Sequence, residues 1–199
     1  MRTFKPGGGA MTHAVLVAIP IVLAVVAGCS SGSGSATDDD GDGGLSTTSA
    51  PEDIVVEAGD FTALADMTPV RGFFVANLRG QVDEAVAVAE SPDGGVYPVG
   101  TVIQLIPQEA MVKRAPGFDP DSNDWEFFTL DATAEGTTIL TRGGSEVVNG
   151  FSGLSCASCH SAAEPEFDFV CEDTHGCEPL PVPDDVITSI QLADPRPLR

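Results

Sequence analysis

The chain has 199 residues and is strongly acidic, with 30 Asp and Glu against 9 Lys and Arg and a formal net charge of -21 at pH 7. Such a surface repels nucleic acid and anionic lipid headgroups, which excludes a nucleic-acid-binding role. It favours basic partners such as small cationic redox proteins. A salt-adapted or merely soluble surface is the alternative interpretation.

The first 28 residues have the features of a signal peptide. Arg2 and Lys5 precede an uncharged apolar run at 14–26, which ends in Val26-Ala27-Gly28-Cys29. The run is shorter than the roughly 18 to 20 apolar residues of a membrane-spanning helix, and a small-residue processing site follows it. We therefore predict a signal peptide at 1–28 and a lipidated Cys29, with an uncleaved membrane anchor as the alternative. The protein is then expected in the cell envelope, lipid-anchored and facing the periplasm. Because Ser30, and not an inner-membrane retention aspartate, follows Cys29, we favour the outer membrane.

Residues 29–52 are predicted to be the lipidated cysteine followed by a flexible acidic linker. After Cys29 they are mostly Gly, Ser, Thr and Asp, a composition with almost nothing to bury. The run Asp38-Asp39-Asp40-Gly41-Asp42 lacks the glutamate that a helix-loop-helix calcium site requires at its last position, so we discard a calcium site. The remaining residues, 53–199, fit one domain long enough to bury a core.

Short β-like runs dominate this domain. They lie at 54–56, 72–76, 101–106, 125–130 and 137–140, with turn clusters at 91–95 and 116–120 between them. Residues 81–90 are Ala-rich and charged early, which predicts a short helix, although the alternating valines also suit a strand. The predicted fold class is mainly β (α+β), an antiparallel sheet with short helices and a Cys-x-x-Cys-His motif near the C-terminus.

The segment Cys156-Ala157-Ser158-Cys159-His160 has the spacing of a c-type haem attachment site. Two thiols separated by two residues reach the same porphyrin edge, and the next residue places an imidazole beneath the iron. Because covalent haem attachment occurs outside the cytoplasm, the predicted export supports this interpretation. We predict one covalent haem c, bound through Cys156 and Cys159, with His160 as the iron ligand.

Zinc is the competing interpretation, because Cys171, His175 and Cys177 follow closely and complete a set of six candidate ligands. An oxidising periplasm favours disulfides over zinc thiolates, and Cys171 and Cys177 can close a small loop. Cys29 then carries the lipid, Cys156 and Cys159 bind the haem, and Cys171 pairs with Cys177. A zinc- or disulfide-stapled interaction module without haem remains the alternative.

The sixth iron ligand decides between a reactive site and an electron carrier. We expect an open or water-bound distal face, with His175 on the surface and Met111 in the core; ligation by His175 is the alternative. The aromatic residues expected to wall the haem are Trp125, Phe127, Phe128, Phe118 and Phe151. The expected partners of the propionates are Arg142, Arg114 or Lys113.

Five pieces in this order resemble the cytochrome P-460 family, which includes the related cytochrome c-prime-beta proteins. They are Gly100-Thr101-Val102, Glu109-Ala110-Met111-Val112-Lys113, Asp124-Trp125-Glu126-Phe127-Phe128, the late haem motif and Asp168-Phe169-Val170. The resemblance covers about residues 97–171. It implies an antiparallel β fold, haem near the C-terminus, and a distal pocket for small nitrogen compounds such as hydroxylamine or nitric oxide.

The resemblance also implies residue roles. Cys156 and Cys159 match the thioether positions, and His160 matches the proximal ligand. Glu109 falls where hydroxylamine-oxidising members place a distal carboxylate, a candidate catalytic general base; a solvated strand residue is the alternative. Leu105 stands where those members crosslink a lysine to the haem, so that bond cannot form here. We expect a monohaem cytochrome that binds or redox-transforms a small ligand, with a six-coordinate electron-transfer cytochrome as the alternative.

Overall fold

Six strands form one antiparallel sheet in which each strand lies beside its neighbours in the sequence. They are β1 (Thr68–Val70), β2 (Phe73–Asn77), β3 (Thr101–Gln104), β4 (Glu109–Lys113), β5 (Trp125–Thr133) and β6 (Gly136–Gly143). Short connections favour this up-and-down order because consecutive strands can pair without a crossover. The mainly β, antiparallel prediction is confirmed.

This computed structural model describes residues 51–150 and 152–199, all within one compact unit. The predicted signal peptide at 1–28, Cys29, linker residues 30–50 and Phe151 lie outside the described residues. Among the described residues, no helix is both long and apolar enough to span a membrane.

Within residues 51–150 and 152–199, three α-helices accompany the sheet: α1 (Val82–Glu90), α2 (Cys156–His160) and α3 (Asp184–Leu192). The helical interpretation of 81–90 is therefore confirmed. Asp83 and Glu84 lie in the first turn of α1, where negative charge complements the helix dipole, and Ala85 and Ala89 face the core. Single 3-10 turns lie at Ala58–Asp60, Leu64–Asp66, Pro120–Ser122, Pro165–Phe167 and Asp173–His175.

The strands divide the core into two apolar clusters, because successive side chains of a strand point to opposite faces. One cluster, on the face we call the motif face, contains Phe73, Val75, Ile103, Met111, Trp125, Phe127 and Ala157 of α2. The other cluster, on the far face, contains Val56, Phe61, Val102, Val112 and Phe128. Phe127 and Phe128 are adjacent in the sequence and yet belong to different clusters.

The prediction of a strand at 54–56 is wrong. This segment forms no ladder; Val56 is 2% exposed in the far-face cluster. The carbonyl oxygens of Ile54 and Val56 accept hydrogen bonds from the guanidinium groups of Arg114 and Arg142, both at 2.8 Å. The β-branched residues of this segment therefore reflect burial against the sheet. Arginine side chains, and not a neighbouring strand, donate the hydrogen bonds to its backbone carbonyl oxygens.

Candidate functional site

The five residues of the Cys-x-x-Cys-His segment form helix α2. Ser155 caps it: the Ser155 Oγ accepts from the Ser158 amide at 3.4 Å, and the Cys156 amide donates to Val147 O at 2.9 Å. Residues three and four apart lie on one side of a helix. The helix therefore brings Cys156, Cys159 and His160 to the same side.

The two thiols of α2 are free, with Cys156 half-buried and Cys159 exposed. Burial raises the pKa of Cys156 to about 11, and the charge of Glu109 contributes in the same direction. The Cys156 thiol is therefore protonated at neutral pH.

The imidazole of His160 is held in one tautomer. Its Nδ1 lies 2.7 Å from Phe169 O, and because a carbonyl oxygen only accepts, Nδ1 carries the proton. The Nε2 lone pair is left for a metal. Burial lowers the pKa of His160, while the bond to Phe169 opposes that shift, so the ring is neutral, the form that ligates metals.

The His160 ring contacts the motif face of the sheet. The ring centroids of Phe127 and His160 are 5.2 Å apart. Phe127 on β5 pairs with Met111 on β4, which pairs with Ile103 on β3. The prediction of Met111 as a core residue is confirmed, since it is 4% exposed.

Glu109 lies on the motif face, two residues before Met111 on the same strand. It is half-buried, and its Oε1 accepts from Asn149 Nδ2 at 2.6 Å. Burial raises the pKa of Glu109, and the Asn149 hydrogen bond counteracts part of that rise. The carboxylate is therefore a better proton acceptor than a solvated glutamate.

The backbone at 168–170 connects the histidines to the sheet. Its three carbonyl oxygens accept from Trp125 Nε1 at 2.7 Å, His160 Nδ1 at 2.7 Å and His175 Nδ1 at 2.8 Å. The Asp168 carboxylate, for which no role was expected, is 2% exposed and accepts three hydrogen bonds. Its sequence signal was its place in the Asp168-Phe169-Val170 segment that follows the Cys-x-x-Cys-His motif.

Cys171 and Cys177 form the predicted disulfide, with Cα atoms 5.6 Å apart. The Sγ of Cys171 lies 3.4 Å from the Cys159 carbonyl oxygen, so the disulfide loop contacts helix α2. These two sulfurs are thereby removed from the zinc ligand set. In the ranges that the structure describes, no group of three or more His, Cys, Asp or Glu is arranged to hold a metal ion.

The prediction of a surface position for His175 is wrong. The residue is 6% exposed, and its ring stacks on Phe167 with centroids 3.8 Å apart and planes 4° apart. Its Nδ1 donates to Val170 O, and its Nε2 lies 3.5 Å from Glu172 Oε1. Stacking on Phe167 and the Nδ1 hydrogen bond to Val170 O offset the cost of burying the ring.

The expected haem walls and propionate partners are only partly on the motif face. Phe127 and Trp125 lie there, whereas Phe128 is on the far face. Phe118 packs instead under Arg114, 4.5 Å from ring centroid to guanidinium. Arg114 and Arg142 pair with Glu126, and Lys113 pairs with Asp168. These internal ion pairs do not fit a propionate-binding role.

Two cavities lie elsewhere. One of about 380 Å³ is lined by Tyr97, Lys113 and Asp168 among others, and one of about 440 Å³ by Asp60, Asn77 and others. Neither is lined by a residue of α2. The site is therefore defined by the donor groups of α2 and the motif face, and not by these cavities.

Comparison with known proteins gives no match: no family model matches the chain, and no curated protein or solved structure matches it.

Proposed function

We propose that the protein is an exported, lipid-anchored monohaem c-type cytochrome that binds or redox-transforms a small ligand at an open haem iron. One observation carries the proposal. The Cys156 and Cys159 thiols are free on the same helix as a His160 whose tautomer leaves Nε2 unprotonated. This donor set fits a covalent haem, which requires two reduced thiols and a neutral imidazole.

The surroundings of α2 also fit a large apolar group. Val148 and Leu154, which flank the motif, are 52% and 55% exposed, and Val148 bridges to Ser155 at the start of the helix. Leu105 and Phe127 belong to the same motif-face cluster as Cys156, and Glu109 is hydrogen-bonded to Asn149, the residue after Val148. Exposed apolar side chains next to free thiols are favourable contacts for a porphyrin, since its attachment removes them from water.

A bound haem would supply a redox-active iron with a position for a small ligand. The chain's own groups would do the rest. His160 would bind through Nε2, held in orientation by Phe169, and the half-buried Glu109 carboxylate would accept a proton from the ligand. Asn149 would keep that carboxylate in place through its hydrogen bond.

The ligand class rests on the resemblance to the cytochrome P-460 family, which favours nitric oxide or hydroxylamine. Leu105 packs against the motif-face cluster and is aliphatic, so it forms no crosslink. The lipid anchor on Cys29, the periplasmic location on the outer membrane and a basic redox partner belong to the same proposal and rest on the sequence.

Electron transfer is the second candidate, and it would require the buried Met111 as the sixth iron ligand. It is the methionine of the described range that lies on the motif face, whereas Met67 is in the far-face cluster. A low-spin ferric spectrum that becomes high-spin in Met111→Leu would establish a six-coordinate carrier. A high-spin spectrum in both proteins would establish the open site.

The test of covalent haem is the alkaline pyridine haemochrome of the full chain, expressed with a c-type haem maturation system. Cys156→Ser with Cys159→Ser should lose the covalent haem. The matched control, Cys171→Ser with Cys177→Ser, also removes two cysteines and should retain it. Absence of haem in the unmodified protein, with stoichiometric zinc instead, would refute the cytochrome and support the zinc module.

Proton acceptance by Glu109 is tested separately with Glu109→Gln, which keeps an oxygen for the Asn149 amide. Hydroxylamine oxidation or nitric oxide binding should be assayed across pH in both proteins. Loss of turnover with unchanged ligand affinity would support the general-base role. Equal turnover in both proteins would show that Glu109 has no general-base role.

A further inference from the structure

The chain after the haem motif adopts an unusual backbone conformation. Asp168 and Phe169 both have positive φ, 50° and 66°, in the left-handed region that non-glycine residues seldom adopt. Two such residues in succession persist only when their surroundings hold them. The result is that the carbonyls of residues 168–170 each meet an aromatic N–H group, as described above.

Hydrogen bonds to the Asp168 carboxylate stabilise this backbone conformation. Its Oδ1 accepts from Lys113 Nζ and from Asn123 Nδ2, both at 2.6 Å, and its Oδ2 accepts from the Tyr97 amide at 2.8 Å. Lys113 Nζ also donates to Asn123 O at 2.8 Å. Lys113 and Asp168 are 6% and 2% exposed, so salt screens their ion pair less than it screens a surface pair.

We propose that Asp168, with Lys113 and Asn123, is a positioning site for His160. The ion pair with Lys113, the last residue of β4, holds the Asp168 carboxylate in place. This contact stabilises the left-handed conformation of Asp168 and Phe169. In that conformation the Phe169 carbonyl oxygen points at the imidazole Nδ1 of His160. The strength of that hydrogen bond sets how much electron density Nε2 gives to a bound metal. The effect on iron rests on the proposed function, whereas the effect on the tautomer does not.

The Asp168 ion pair lies on the motif face of the sheet. A second buried carboxylate, Glu126 on the far face, provides a matched control. Glu126 is 3% exposed and pairs with Arg114 and Arg142, on the far face that includes Val112 and Phe128. Asp168→Asn and Glu126→Gln each remove one buried carboxylate charge. Only the first is connected to His160.

The experiment compares these two variants as full-length, haem-loaded proteins. The readouts are the iron–histidine stretching frequency of the ferrous protein and the midpoint potential. Asp168→Asn should lower the frequency, because the Nδ1 hydrogen bond is weakened. It should also raise the potential by about 59 mV, a tenfold change in the ferrous-to-ferric ratio. Glu126→Gln should change neither. Equal effects of both variants, or no effect of Asp168→Asn, would overturn the proposal.

If Asp168→Asn does not fold, a variant that perturbs the network less can be used. Asn123→Gly removes only one donor to Asp168, and glycine suits the φ of 51° at this position. It should shift frequency and potential in the same direction by a smaller amount. An unchanged frequency and potential in folded Asn123→Gly would count against the network.

Failure of this inference is distinguishable from failure of the proposed function. In the haem-free full-length chain, ¹⁵N NMR of His160 reports which nitrogen carries the proton. We expect a protonated, hydrogen-bonded Nδ1 in the unmodified protein and in Glu126→Gln, and a mixture of tautomers in Asp168→Asn. The same single tautomer in all three would overturn the positioning role even if haem attaches. The expected NMR pattern without haem attachment would refute only the cytochrome.

Discussion

Replacing both Cys171 and Cys177 with serine opens a small loop beside helix α2. The two cysteines are six positions apart, and the loop-entropy relation gives about 2.3 kcal/mol at 25 °C for closing a loop of this length. We expect the free energy of unfolding to fall by that amount. The thermal midpoint should fall by roughly 5 to 9 °C for a domain of this size.

The assay is urea unfolding of the haem-free protein, with the denaturant slope compared to confirm that only stability changes. Reductant should destabilise the unmodified protein by the same amount and leave the double variant unaffected. An equal effect of reductant on both proteins would refute the assignment of the stability to this bond. Unchanged stability in the double variant would show that the loop is constrained by the His175 stack alone.

Three further substitutions test the two sheet faces and one turn. Because the pKa of Glu109 is raised, its ionisation opposes folding; Glu109→Gln should gain stability relative to the unmodified protein as pH rises above about 4.5 in urea unfolding. Phe127→Ala and Phe128→Ala should each cost about 3–5 kcal/mol, but only Phe127→Ala should alter the haem spectrum. Gly94→Ala should lower the thermal midpoint, because its φ is 69° and a Cβ would collide with Glu166 O.

Each of these has an outcome that contradicts it. A Glu109→Gln stability difference that is constant from pH 4 to 7 would mean that the carboxyl titrates alike in folded and unfolded chains. Equal spectral effects of the two alanine variants would contradict the assignment of the faces. An unchanged midpoint in Gly94→Ala would show that the turn at 91–95 can move away from Glu166.

The sequence determined those features that depend on few neighbouring residues. Short β-like runs predicted β2, β3, β5 and β6, an Ala-rich segment with early charges predicted α1, and the cysteine pattern predicted the pairing of Cys171 with Cys177. The chemistry of the Cys-x-x-Cys-His segment is also local, because five residues carry both thiols and the imidazole. Helix α3 was missed, although Pro183 and the two aspartates that follow are signals for a helix start.

Only the tertiary structure decided which residues face the motif. A strand alternates its side chains, so the side on which Phe127 or Phe128 lies depends on register and on what packs there. The burial of His175 required Phe167 beneath its ring, and the extended segment at 54–56 required arginine donors from the sheet. The Asp168 network joins residues 97, 113, 123 and 168, and distant groups of this kind meet only after the chain has folded.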